Sequence, residues 1–285
     1  MKKYGIIPSM VPGSSPLANG VNDKSLHAEI IKRTHELIDV SAAAGAPNLI
    51  ILSGNRKGKS EEEGMANTVA CLNQLKKHAE DKNVVLCMEL LNSKVNHPDY
   101  QCDRTAWGVE VCKRVNSPNV KLLYDIYHMQ IMEGDVIRTI RDNYQWIGHF
   151  HTAGNPGRNE LSVEQEINYK GIAKAIADLG YKGFICHEYT PKVKPWREAL
   201  EEALQSGGDA PAIVCLQAGD LNTGFSGSPL AAQFSASDNA SRKYTFIDQL
   251  YLRWKPDLGP SATGAITLGK YENPFYVPSR MLFDS

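Results

Sequence analysis

The chain has 285 residues, 42% of them hydrophobic, and a formal net charge of −1. That length can bury a sizeable core, and the balanced charge lacks the basic excess of a nucleic-acid binder, which leaves a small molecule as the expected partner. No apolar run approaches the roughly 18 residues of a membrane helix, and Pro8 breaks the short apolar start, so neither a membrane span nor a signal peptide is expected.

Taken in chain order, an opening strand at Tyr4–Ile7 precedes helical apolar spacing over Leu26–Ala44, which stops at Gly45. Pro47 then introduces the apolar strand Asn48–Leu52, closed by the turn Ser53-Gly54-Asn55-Arg56. A helix over Glu61–Lys82 leads to the strand Val84–Leu91, and a helix over Thr105–Val115 leads to the strand Val120–Asp125. Asp135–Asn143 is helical, Trp146–His151 is a strand, and Tyr169–Leu179 is a helix ending at Gly180. The strand Phe184–Glu188 and a last helix over Trp196–Leu204 complete the alternation.

Apolar strands alternating with helices describe a parallel sheet buried on both faces, and their number points to a (β/α) TIM-type barrel. The reading finds six strands where a closed barrel needs eight. The stretch after Ser206 is rich in Gly, Ser, Pro and Asn and has no helical period. The expected organisation is therefore a partial barrel over 1–206 and a C-terminal extension over 207–285. On this reading the apolar runs Ala212–Leu216 and Ala265–Leu268 do not supply two further parallel βα units, and Phe184–Glu188 is an open edge.

Six scattered cysteines without a CxxC pair read as reduced thiols, Cys87 and Cys186 lying inside apolar runs, in a cytoplasmic protein.

The chemistry lies at the strand ends. Glu89, Asp125, His151 and Glu188 each terminate an apolar strand, where the loops of a parallel α/β fold converge on one mouth. Any one of them alone reads more simply as the place where a strand leaves the core. Carboxylates are seldom buried unless paired or metal-bound, so four coincident placements favour a site. Three carboxylates and an imidazole suit Mn²⁺, Mg²⁺ or Co²⁺ better than structural Zn²⁺. His128, just past its strand, can hydrogen-bond a substrate oxygen or be an ordinary loop histidine. Arg158, in the loop after His151, can pin a carboxylate or phosphate or sit on the surface. Ser53-Gly54-Asn55-Arg56 resembles an anion-binding turn. His149 reads as a core histidine one layer beneath His151, and the remaining histidines carry no functional signal.

Met88-Glu89-Leu90-Leu91-Asn92, Tyr124-Asp125-Ile126-Tyr127-His128-Met129-Gln130, Gly148-His149-Phe150-His151 with Asn155-Pro156-Gly157-Arg158, Glu166-Ile167-Asn168-Tyr169 and His187-Glu188-Tyr189 together resemble the hydroxypyruvate isomerase family. That family belongs to the xylose-isomerase-like TIM barrels, with the sugar 3-epimerases and endonuclease IV. The resemblance spans residues 1–200 and implies one divalent cation held by Glu89, Asp125, His151 and Glu188. It further implies that Glu89 and Glu188 move the substrate proton and that His128 and Arg158 contact the substrate. Family members begin with two more strand–helix units, so this chain is expected to enter at the third strand. The expected activity is isomerisation or epimerisation of a small hydroxy-carbonyl compound or sugar, in a monomer or homo-oligomer. The alternatives are a catalytically silent barrel remnant, motivated by the missing strands, and an endonuclease IV-type nuclease, disfavoured by neutral charge and too few ligands.

Overall fold

The computed structural model describes residues 8–192 and the backbone of 214–216, 251–254 and 266–269. The expected strand at Tyr4–Ile7 and helix at Trp196–Leu204 lie outside those residues.

The described elements begin with β1 (Met10–Val11), α1 (His27–Ala44), β2 (Asn48–Ile51), α2 (Glu61–Lys82) and β3 (Val85–Glu89). They continue with α3 (Thr105–Val115), β4 (Val120–Asp125), α4 (Ile126–Met132), α5 (Val136–Asn143) and β5 (Ile147–Thr152). After α6 (Tyr169–Asp178) come β6 (Ile185–His187) and β7 (Val214–Leu216). Local chemistry explains the boundaries. The Ser60 hydroxyl accepts from the Glu63 amide to cap α2, whose first turn carries Glu61, Glu62 and Glu63 at the positive end of the helix dipole. The same helix stops at Asn83 in the left-handed conformation, and α1 stops the same way at Gly45 (φ 74°).

β1 to β7 form one parallel sheet in sequence order. Here the expectation of an open edge at the sixth strand is corrected: Val214–Leu216 pairs in parallel with Ile185–His187. An unpaired strand edge offers a row of N–H and C=O groups, and the β-branched, apolar run Ile213-Val214-Cys215-Leu216 suits it. The other run behaves as a separate element. In a unit formed by Met1–Pro8 and Ala231–Ser285, β8 (Tyr251–Trp254) and β9 (Ile266–Gly269) pair antiparallel with each other.

The parallel sheet is strongly curled. The Asn48 amide on β2 comes within 3.3 Å of His149 Nδ1 on β5, and Ser9 Oγ lies 3.3 Å from Cys186 Sγ on β6. Strands in a flat sheet are spaced at about 4.8 Å, so β2 and β5 would stand about 14 Å apart. Strand alternation then separates two packing layers. Leu49, Ile51, Leu86, Met88, Leu122, Tyr124 and Phe150 belong to the large core that includes helix residues such as Ile38, Leu72, Leu75, Val111 and Ile140. The opposite parity, Ile50, Cys87 and Leu123 with Leu52 and Val85, forms a small apolar cluster of its own. Two residues further along β3 and β4 on that parity stand Glu89 and Asp125, so the same alternation that fills the barrel interior lifts the carboxylates to its mouth. Cys71, Cys87, Cys102 and Cys112 are buried thiols, while the side chain of Cys215 lies outside the described residues.

One buried tyrosine ties the mouth together. The Tyr100 hydroxyl donates to the Glu89 carbonyl (3.1 Å) and accepts from the Ser53 amide (3.0 Å), with its side chain fully buried. Tyr100→Phe leaves both backbone groups unpaired and is expected to destabilise the fold by about 1–3 kcal/mol. A urea-unfolding midpoint equal to that of the parent would contradict this role.

Candidate metal centre

Glu89 ends β3, Asp125 ends β4, His151 lies one residue before the end of β5, and Glu188 directly follows β6. Registers pair Asp125 with His151 and Thr152 with His187, and the Glu188 amide bonds the Thr152 carbonyl. Neighbouring strands therefore deliver the four side chains at one height. One ligand atom from each lies within 4.8 Å of the ligand atoms of the other three, and all four residues are buried. His151 Nδ1 is 3.0 Å from Glu188 Oε2, 3.3 Å from Glu89 Oε1 and 3.9 Å from Asp125 Oδ2.

These approaches are close, yet neither His151 nitrogen nor Asp125 Oδ2 makes a hydrogen bond. Buried polar atoms are normally paired, and orphans of this kind need an explanation. Three carboxylates and an imidazole crowded round one point, without hydrogen bonds to one another, fit a hard divalent cation.

Asp125 has two duties. Its Oδ1 accepts from the His128 amide at 3.0 Å and caps α4, which leaves Oδ2 facing His151. The cap also explains His128, which belongs to the first turn of a helix rather than to a loop and is fully buried. Its Nδ1 meets the Asn92 amide at 2.6 Å, and its Nε2 lies 3.7 Å from Asp125 Oδ2. Arg158 reaches in from the loop after β5, where Nη2 donates to Glu188 Oε2 at 2.6 Å and Nε is buried without a hydrogen bond.

Electrostatics push the two glutamates apart. Burial and the adjacent Glu188 charge raise the Glu89 carboxyl against the pull of His151. Burial likewise lifts Asp125 to about 7 despite Arg158. At Glu188 burial is outweighed by His151 and Arg158, which hold its carboxyl below the usual carboxylate range. At His151 burial is outweighed by Glu188 and Glu89, which raise the imidazole to about 10. Burial, aided by Arg158, holds His128 well below the ordinary histidine range.

Two other sequence readings change. Arg56 does not offer an anion site: it donates to Asp103 (2.9 Å), Glu61 (3.1 Å) and the Tyr100 carbonyl, clamping loops together. His97, given no role in the sequence reading, stands with its ring centroid 5.1 Å from that of His128. His149 sits beneath His151 as expected, its Nδ1 on Asn48, but its Nε2 has no hydrogen bond.

A curled parallel sheet with three carboxylates and an imidazole clustered at its carboxyl ends defines a (β/α)-barrel protein whose mouth carries side chains of the kind that could hold a cation. Residues 1–206 match the profile of the xylose isomerase-like TIM barrel family, and the chain belongs to it. A 2-oxo-tetronate isomerase of Cupriavidus necator is 37% identical over 114 residues, covering 40% of this chain and 43% of that protein. The hydroxypyruvate isomerase of Escherichia coli is 37% identical over 106 residues, covering 36% of this chain and 41% of that protein. The matches span from 38% to 67% of the length of these and other curated relatives. The crystal structure of a 3-keto-D-glucoside 4-epimerase from E. coli superposes with a TM-score of 0.63 at 17% identity, covering 72% of this chain and 80% of that one. Among the described residues, no helix is long and apolar enough to cross a membrane.

Proposed function

We propose that this chain is a divalent-cation-dependent isomerase or epimerase acting on a small hydroxy-carbonyl compound or sugar, in the manner of a hydroxypyruvate isomerase. The convergence of Glu89, Asp125, His151 and Glu188 on one buried point carries the reading. The names of the similar proteins agree with it.

Glu89, Asp125, His151 and Glu188 hold the cation, and Mn²⁺, Mg²⁺ or Co²⁺ fits their donor set. When bound, the cation polarises the substrate carbonyl and stabilises negative charge that develops on its oxygen. The remaining steps belong to the protein. Isomerisation takes a proton from the carbon beside the carbonyl and returns one nearby, so it needs a base and an acid in one site. Glu188, kept ionised by Arg158 and His151, accepts the proton at a carboxylate oxygen. Glu89 is its acid partner and supplies the proton that returns. His128 and Arg158 bind and orient substrate oxygens, with the buried Arg158 Nε as a ready donor.

The test is turnover of hydroxypyruvate, 2-oxo-tetronate and D-fructose with added Mn²⁺. Conversion of at least one is expected, with loss of activity in EDTA and recovery when Mn²⁺ is restored. A folded, metal-loaded chain that converts none of them would favour a silent barrel that binds without catalysis.

A further inference from the structure

The loop between β3 and α3 is fixed where it crosses the mouth. Asn92 Oδ1 accepts from the amides of Val95 (3.1 Å) and Asn96 (2.8 Å), and the His97 amide donates to the Asn92 carbonyl (3.0 Å). Asn96 Oδ1 takes bonds from Asn92 Nδ2 (2.7 Å) and from the Tyr127 hydroxyl on α4 (2.9 Å). The Tyr100 amide closes the far side on the His97 carbonyl at 3.1 Å. These bonds fix the backbone on both sides of the half-buried His97.

His97 is held with its ring tilted 58° against that of His128. Its Nε2 is buried and has no hydrogen bond. Leaving such a nitrogen unpaired costs about 1–3 kcal/mol, an expense that a ligand group can remove on binding. The His128 ring that it abuts lies 3.7 Å from Asp125 Oδ2, which puts His97 one side chain away from the four-residue cluster. The ring also differs in kind from Arg158. A guanidinium suits a carboxylate, whereas a neutral imidazole can both donate to and accept from a hydroxyl.

We propose that His97 is a substrate contact that sets specificity, its Nε2 hydrogen-bonding a hydroxyl on a carbon beyond the pair between which the proton moves. This rests on the isomerase reading and adds a substrate class to it: compounds longer than three carbons that carry a further hydroxyl. Hydroxypyruvate has no such hydroxyl, and 2-oxo-tetronate has one.

The experiment compares His97→Ala, His97→Gln and the parent on both compounds with Mn²⁺. His97→Ala should raise KM for 2-oxo-tetronate roughly tenfold, with kcat within about threefold and KM for hydroxypyruvate within about twofold. His97→Gln, which retains a donor and an acceptor, should recover most of the loss. Equal effects on both substrates, or a fall in Tm with KM unchanged, would make His97 a packing residue and overturn the proposal. So would a parent that turns over hydroxypyruvate but not 2-oxo-tetronate. A parent that converts neither these two compounds nor D-fructose overturns the isomerase reading and this proposal together, which distinguishes the two failures; if D-fructose alone is converted, the same KM comparison is made on it.

Discussion

Glu188→Gln is expected to fold as the parent does and to lose turnover by about 10²- to 10⁴-fold, the usual contribution of a positioned acid or base. The substitution is nearly isosteric, and the amide oxygen can still accept from Arg158 Nη2, which sits 2.6 Å from Glu188 Oε2. What it removes is the ability to take a proton at an oxygen. The neighbours show why Glu188 suits that step: His151 and Arg158 outweigh burial and keep the carboxylate ionised. The neutral amide is also a weaker cation ligand, so the variant is assayed at Mn²⁺ concentrations that saturate it. Turnover equal to the parent's under those conditions would remove Glu188 from the mechanism.

His151→Ala should act on the cation rather than on the proton. His151 Nδ1 is the nitrogen at the centre of the cluster, within 3.0 to 3.9 Å of carboxylate oxygens from Glu188, Glu89 and Asp125. Loss of a residue that merely supports a ligand typically weakens metal affinity 10- to 100-fold, so loss of the ligand itself should cost about 100-fold or more. A second consequence follows from charge. Without a cation, the protonated imidazole is a counter-charge to three buried carboxylates, and its removal leaves them facing one another. The metal-free variant should therefore melt below the metal-free parent. Mn²⁺ affinity unchanged in His151→Ala would place the cation elsewhere.

How much of this was legible in the sequence depends on what kind of signal each residue carried. Helices α2 and α3 fall at the residues that apolar spacing indicates, because each has a solvent face and a core face and ends at an asparagine in the left-handed conformation. The strand ends bearing Asp125 and Glu188 were legible because the expected strands close on a carboxylate, whereas Glu89 stood out as a lone carboxylate inside the apolar run Val84–Leu91, and β3 stops at it. Helix α4 was not legible as a helix. Five of its seven residues (Ile126, Tyr127, His128, Met129 and Met132) are buried, so no amphipathic period survives. A signal was present all the same, since Asp125 at the N-cap position bonds the amide three residues on. The role of Arg56 was not legible, because a glycine and an arginine in a turn say nothing of Asp103, which is distant in sequence. His97 had no sequence signal at all; its place beside His128 is created by the turn that Asn92 closes. The pairing of Val214–Leu216 with β6 likewise depends on which edge the fold leaves available.

If four strand-end side chains make one cation site, calorimetric titration of the metal-stripped full chain with Mn²⁺ should reveal it. In the metal-free protein its carboxylate neighbours raise His151 to about 10 and burial raises Asp125 to about 7, so near neutral pH the imidazole is protonated and Asp125 partly so, and the cation must displace these protons. Binding should then release protons, seen as a heat that changes with the buffer's ionisation enthalpy, and affinity should rise as pH increases from about 6 to 8. One Mn²⁺ per chain is expected, with proton release on binding and loss of the signal in His151→Ala. Absence of saturable binding, or one equivalent bound equally by the parent and His151→Ala, would contradict a cation site at these four residues.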